Sequence, residues 1–140
     1  MSITQGVTLL FLQDVNRGIH NFEGDTFRLA LYNSSANLNA GTEFYTTANE
    51  VTGAPGYTAG GEIVNNFTIV VESGAVILTC DNVIWTSANI TARGALLYNV
   101  SKGNRAVAVY NFGADRTSSG GDFTLIVPAA TAAAGLIRYI

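Results

Sequence analysis

Nucleophilic catalysis needs a Ser, Thr or Cys within reach of a base, most often His. The chain offers one histidine, His20, and one cysteine, Cys80. His20 sits at a boundary between segments, and no Gly-x-Ser-x-Gly elbow is present to expose a serine. Cys80 falls in phase with Val76 and Leu78 of an apolar run, which predicts a thiol buried in the core. His20, Glu23 and Asp25 form one close group of metal-ligand types, and Asp115 and Asp122 flank a Ser/Gly-rich stretch. Neither group has the spacing of a zinc site or a calcium loop, so both read as solvated turns. Gly60-Gly61 and Gly120-Gly121 lack the pattern of a phosphate-binding loop and read as tight turns. These residues predict a protein without catalytic activity, cofactor or metal.

Aromatic side chains supply a different chemistry. Tyr32, Tyr45, Tyr57, Trp85, Tyr98, Tyr110 and Tyr139 include enough rings for a sugar-stacking platform, although Trp85 is in phase with Val83 and reads as core.

Composition narrows the partners. Charged residues make up 12% of the 140-residue chain, about half the usual share, and apolar residues 48%. A surface so poor in charge is either coated by Thr, Asn and Ser or covered in part by another protein. Net charge is −3 and the six arginines are scattered, which excludes the basic stripe that nucleic-acid binding requires. The run Val7–Leu12 is too short to span a membrane and lacks the flanks of a secretory signal. No membrane partner is expected. The Asn-x-Ser/Thr triplets at Asn33, Asn66, Asn89 and Asn99 are expected by chance in a chain rich in those residues.

The elements that must position these groups are mostly strands. Ile3, Val7, Leu10, Phe11 and Val15 fall at helical spacing and Gly18 can end a helix, so residues 1–20 read as a short helix or arm, with a buried strand over residues 8–12 as the alternative. Phe27–Tyr32 alternates, predicting a half-buried strand. Residues 33–62 read as irregular, with one helical turn over Thr46–Val51. Strands are expected over Phe67–Val71, Val76–Cys80 and Val83–Trp85. A hairpin pairs Arg93–Asn99 with Arg105–Phe112, and further strands fall at Phe123–Val127 and Leu136–Ile140. The expected fold is all-β: a single domain over 1–140, a two-sheet β-sandwich of jelly-roll type.

A series of phrases resembles a family of short tailed-phage virion proteins that includes capsid cement, or decoration, proteins. They are Phe27-Arg28-Leu29-Ala30-Leu31-Tyr32, Ala48-Asn49-Glu50-Val51, Gly56-Tyr57-Thr58-Ala59-Gly60-Gly61, Val83-Ile84-Trp85, Ile90-Thr91-Ala92-Arg93-Gly94-Ala95, Asn104-Arg105-Ala106-Val107-Ala108-Val109, Phe112-Gly113-Ala114-Asp115 and Gly121-Asp122-Phe123-Thr124 with Pro128. The amino-terminal arm matches that pattern less well. The resemblance implies no catalytic residues. It implies a protein made in the host cytoplasm that binds the major capsid protein on the outer surface of the shell and cements neighbouring subunits. Self-association is expected as a homodimer, less readily a trimer. The candidate interface residues are Val7, Leu10 and Phe11 in the arm and Leu136, Ile137, Tyr139 and Ile140 at the other end, against the alternative that both ends complete the core. A tail-associated or receptor-binding β-sandwich module for host-surface carbohydrate is the competing expectation.

Overall fold

The computed structural model describes residues 2–127 and 137–139. Among these, ten strands and one α-helix follow in the order β1 (Gly6–Val7), α1 (Leu9–Asn16), β2 (Phe27–Tyr32), β3 (Glu62–Ile63), β4 (Thr68–Glu72), β5 (Ala75–Thr79), β6 (Val83–Ala88), β7 (Thr91–Asn99), β8 (Arg105–Thr117), β9 (Gly121–Leu125) and β10 (Ile137–Tyr139). The fold is all-β, as expected. The strands form a five-stranded sheet in the order β1-β8-β7-β2-β3, a three-stranded sheet β10-β5-β4 and a β6-β9 pair. Every pairing between these strands is antiparallel.

β2 spans the predicted residues, but both of its faces are covered rather than one. Phe27, Leu29 and Leu31 join a cluster with Phe11, Leu78, Trp85, Ile90, Leu97, Val107, Phe123 and Ile137. This cluster takes side chains from one face of the five-stranded sheet and from both smaller sheets. Ala30 and Tyr32, on the other face, pack with Ile3, Ala36, Leu38, Leu96, Tyr98 and Val109. Cover on that face comes from the irregular 33–62 segment, which contributes Ala36 and Leu38, and from Ile3 of the amino-terminal arm.

That segment is irregular in backbone yet tied along its length. Leu38 bridges Ile3, Phe44 bridges Arg105 and Glu50 bridges Tyr32. Thr46–Val51 is not helical. Glu50 N–H closes a turn on the Thr47 carbonyl at 3.2 Å, with Asn49 left-handed at φ 61°. The segment then returns to β2 through Gly61, whose φ is +81° and where an added Cβ would lie 1.9 Å from the Leu29 carbonyl oxygen. This close approach lets β3 pair with Arg28 and Leu29.

The amino-terminal arm is divided. Residues before Thr8 run extended, with β1 on Val109 and Ala108, and the helix begins where Thr8 caps it. The buried Thr8 hydroxyl accepts from Phe11 N–H at 3.0 Å and donates to the Ala106 carbonyl at 3.1 Å. The cap therefore nails the helix start to β8. Gly18, left-handed at φ 68°, follows its end.

The hairpin β7–β8 forms as predicted, closed by a 3₁₀ turn at Val100–Lys102 and Gly103. Between Ala92↔Arg116 and Gly94↔Asn111 the register slips, so Phe112–Asp115 bulges from β8. Gly113 there is left-handed at φ 79°, and Arg93 Nε donates to Asp115 Oδ1 at 3.0 Å across the bulge.

Gly61→Ala is expected to lower unfolding stability by on the order of 3 kcal/mol, since both φ and the Leu29 oxygen oppose a methyl group. Gly103→Ala, with open space around it, is expected to lose about 1 kcal/mol through φ. Urea denaturation of the two variants checks the contrast.

Candidate functional site

Three of the residues singled out for chemistry, His20, Asp25 and Asp115, are held by neighbouring side chains. The His20 side chain is buried, with Nε2 3.2 Å from Asp14 Oδ2 and Nδ1 2.9 Å from Asn99 Nδ2. Among the described residues no Ser, Thr or Cys side chain hydrogen-bonds to it. Glu23 is exposed and takes no part, whereas Asp25 is joined to His20 through Asn99 Nδ2, which donates to Asp25 Oδ2 at 2.9 Å. Among the described residues no group of three His, Cys, Asp or Glu could hold a metal ion. Asp115 is paired with Arg93, and Asp122 is exposed on β9. Cys80 is half-buried against the core, not fully inside it as predicted, because β5 ends at Thr79. Burial, helped by the neighbouring Asp81, pushes its thiol up to about 12, so it stays protonated and unreactive at neutral pH.

Two of the tyrosines, Tyr45 and Tyr57, serve a buried carboxylate. Glu50 is buried; its Oε1 accepts from the Tyr45 hydroxyl at 2.6 Å, and its Oε2 accepts from Gly60 N–H at 2.8 Å and from the Tyr57 hydroxyl. Tyr57 oxygen in turn accepts from Leu31 N–H at 3.0 Å, and the Tyr98 hydroxyl donates to the Gly60 carbonyl at 2.6 Å. Tyr45 stacks on Tyr98 with ring centroids 4.6 Å apart. Burial, with the Glu50 charge nearby, raises Tyr32, Tyr45 and Tyr57 well above the usual phenol range and Tyr98 to about 12. All four stay neutral donors across the ordinary pH range. Tyr32, Tyr98 and Trp85 are fully inside, so they offer no platform to a ligand, and Trp85 is core as its phase predicted. Nothing in the sequence singled out Glu50, because its partners lie on separate stretches of the irregular segment.

Part of what remains outward is apolar. In the β4–β5 hairpin, Val71 stands opposite Val76 and Ile69 opposite Leu78, and β10 pairs Ile137 with Leu78 and Tyr139 with Val76. Leu78 and Ile137 are core, but the face runs on past it: Val71 is 75% exposed, Ile69 50% and Val76 39%. Ser73 and Gly74, both at positive φ, make the tight turn that holds this tip, and β4 is an edge of its sheet. A second apolar row, Leu9, Leu12 and Val15, lies on the outer side of α1.

The interface residues expected from the sequence are divided. Phe11 and Ile137 are core and present no surface to a partner. Val7 and Leu10 are half-buried, Val7 against that core. The backbone of Tyr139 pairs with Val76, while Leu136 and Ile140 lie outside the described residues. An open cleft of about 790 Å³ lies beside the outer half of β8 and β9, where Gln5, Asn111, Arg116 and Asp122 share its lining with Tyr110, Phe112 and Phe123.

Glu50→Ala strands two hydroxyls and an N–H in the interior, so a loss of about 3 kcal/mol is expected, with an unchanged slope in urea unfolding. Tyr45→Phe, which removes one of the three donors, is expected to lose about 1.5 kcal/mol.

No protein-family model, no curated protein and no solved structure matches the chain.

Proposed function

We propose that the chain is a non-catalytic virion protein that binds the outer surface of a tailed-phage capsid and cements neighbouring major capsid protein subunits against the pressure of packaged DNA. The observation that carries this reading is the β4–β5 tip, where Ile69, Val71 and Val76 form an exposed apolar row beside an edge strand. Such a surface suits close contact with another protein, either through its side chains or by adding a strand to the edge. The scarcity of charge and the net −3 fit a protein that meets protein surface rather than DNA. The fold resembles, in this reading, a two-sheet sandwich of jelly-roll type, with the five-stranded sheet as one layer and the two smaller sheets as the other. Assembly as a homodimer multiplies the grip, because a second contact on the same shell forms at high effective concentration. The protein is made in the host cytoplasm and acts on the capsid exterior.

A second reading rests on the cleft beside β8 and β9. Its mixture of aromatic, amide, Arg and Asp side chains is the kind that holds a sugar, as in a tail-associated or receptor-binding module.

Co-sedimentation with expanded, empty capsids separates the two. Saturation at a fixed ratio of chain to capsid subunit, with shells that survive more heating, is expected for a cement protein. Val71→Asp should change folding stability by less than about 0.5 kcal/mol and weaken shell binding at least about tenfold. No binding to shells, with a positive signal on a glycan array, would favour the carbohydrate module.

A further inference from the structure

We propose that the hydrogen-bonded series Asp14, His20, Asn99 and Asp25 is an acid-sensitive latch that holds helix α1 on the sheet when His20 is neutral and releases it when His20 takes a proton. The hydrogen-bond polarity leaves one assignment for the neutral ring. Asp14 Oδ2 also accepts from Arg105 Nε at 2.7 Å, so the His20 nitrogen facing it, Nε2, carries the hydrogen. Asn99 Nδ2 then spends its two hydrogens on His20 Nδ1 and on Asp25 Oδ2, each at 2.9 Å. Its Oδ1 is buried without a partner among the described residues. A second ring proton, on Nδ1, would meet the Asn99 amino group. Turning the Asn99 amide over to accept that proton would aim its oxygen at the Asp25 carboxylate and break the bond to it. Either way the series opens.

Charge leads to the same conclusion. From α1, Asp14 faces the ring and Arg17, just past the helix end, lies 4.0 Å from Asp14. From β8, Arg105 grips Asp14 with Nε at 2.7 Å and Nη2 at 2.9 Å, with Glu43 acting on Arg105 from the irregular segment. From the turn that precedes β2, Asp25 faces Asn99 and is held by Lys102 at 3.0 Å. Each carboxylate thus already has its cation, and an imidazolium would be an added charge in a site where the His20 side chain is 1% exposed. Phe11, Phe22 and Phe27 surround the ring at centroid distances of 5.4, 6.2 and 6.1 Å, and Phe11 belongs to α1.

Burial accordingly holds His20 below the ordinary histidine range, even though Asp14 pulls the other way. The neutral ring's contribution is complete above about pH 6.5 and is lost as pH falls from there toward the depressed folded value. The Arg105 hydrogen bonds hold the Asp14 carboxyl low; for Asp25 burial acts upward, but bonds from Asn99, the Asn21 N–H and Lys102 outweigh it. Both carboxylates therefore lose their contribution at still lower pH, in the same direction.

The test is amide exchange of the full chain between about pH 7.5 and about pH 5, corrected for intrinsic rates, in wild type and His20→Gln. The Gln variant keeps a donor toward Asp14 and does not titrate. Protection over residues 9–16 should fall by up to about tenfold per pH unit in wild type, faster than over β2 and β7, and stay level in the variant. Equal profiles in the two proteins would overturn the latch. So would ring ¹⁵N shifts of wild type showing an imidazolium or an Nδ1–H tautomer at neutral pH, a reading that does not depend on the variant folding.

Discussion

A sheet whose central strands are covered on both faces governs this molecule. β2 and β7 carry apolar side chains on both sides: Phe27, Leu29, Leu31, Ala95 and Leu97 on one, Ala30, Tyr32, Leu96 and Tyr98 on the other. Leaving either side wet would expose several large side chains, each worth about 1.5–3 kcal/mol when buried. One side is covered by the smaller sheets and α1. The other is covered by residues with no regular structure, whose backbone groups must find partners one by one. Glu50 is the answer to that difficulty. A single carboxylate gathers Tyr45, Tyr57 and Gly60, and so draws the two ends of an irregular stretch together over the sheet.

Several of the few charges in the chain are spent inside or at joints. Glu50 organises the cover, and Asp14 with Arg105 docks α1. Asp25 with Lys102 fastens the β7–β8 turn, and Arg93 with Asp115 spans the bulge. The surface left over is poor in charge, and at the β4–β5 tip it carries an apolar row. Those two facts together, more than any single residue, are why we favour a protein-binding, virion-structural role.

Local patterns were legible; distant pairings were not. The alternation of Phe27–Tyr32 and the turn residues at Ser101–Asn104 are contained within one strand and one hairpin, so periodicity could find them. Whether β2 was covered on one face or two depended on residues 33–62, whose bridges to Ile3, Arg105 and Tyr32 cross long sequence gaps. The helix was readable from its apolar spacing and from Gly18, its terminator, whereas its cap, Thr8, was not. Its facing was not. Val15 fits an apolar stripe, but Asp14 turns inward because Arg105, 91 residues away, waits there. Phe11, read as a sticky arm residue, is core, and an exposed apolar row lies on a hairpin that looked like ordinary strand.

Amide-exchange footprinting of the chain, free and bound to expanded shells, tests the proposed role at its contact surface. Protection concentrated on residues 68–76 is expected, with the sheet β2–β7–β8 unchanged. Binding that leaves 68–76 as exposed as in the free protein would contradict the assignment of that tip as the capsid-gripping surface.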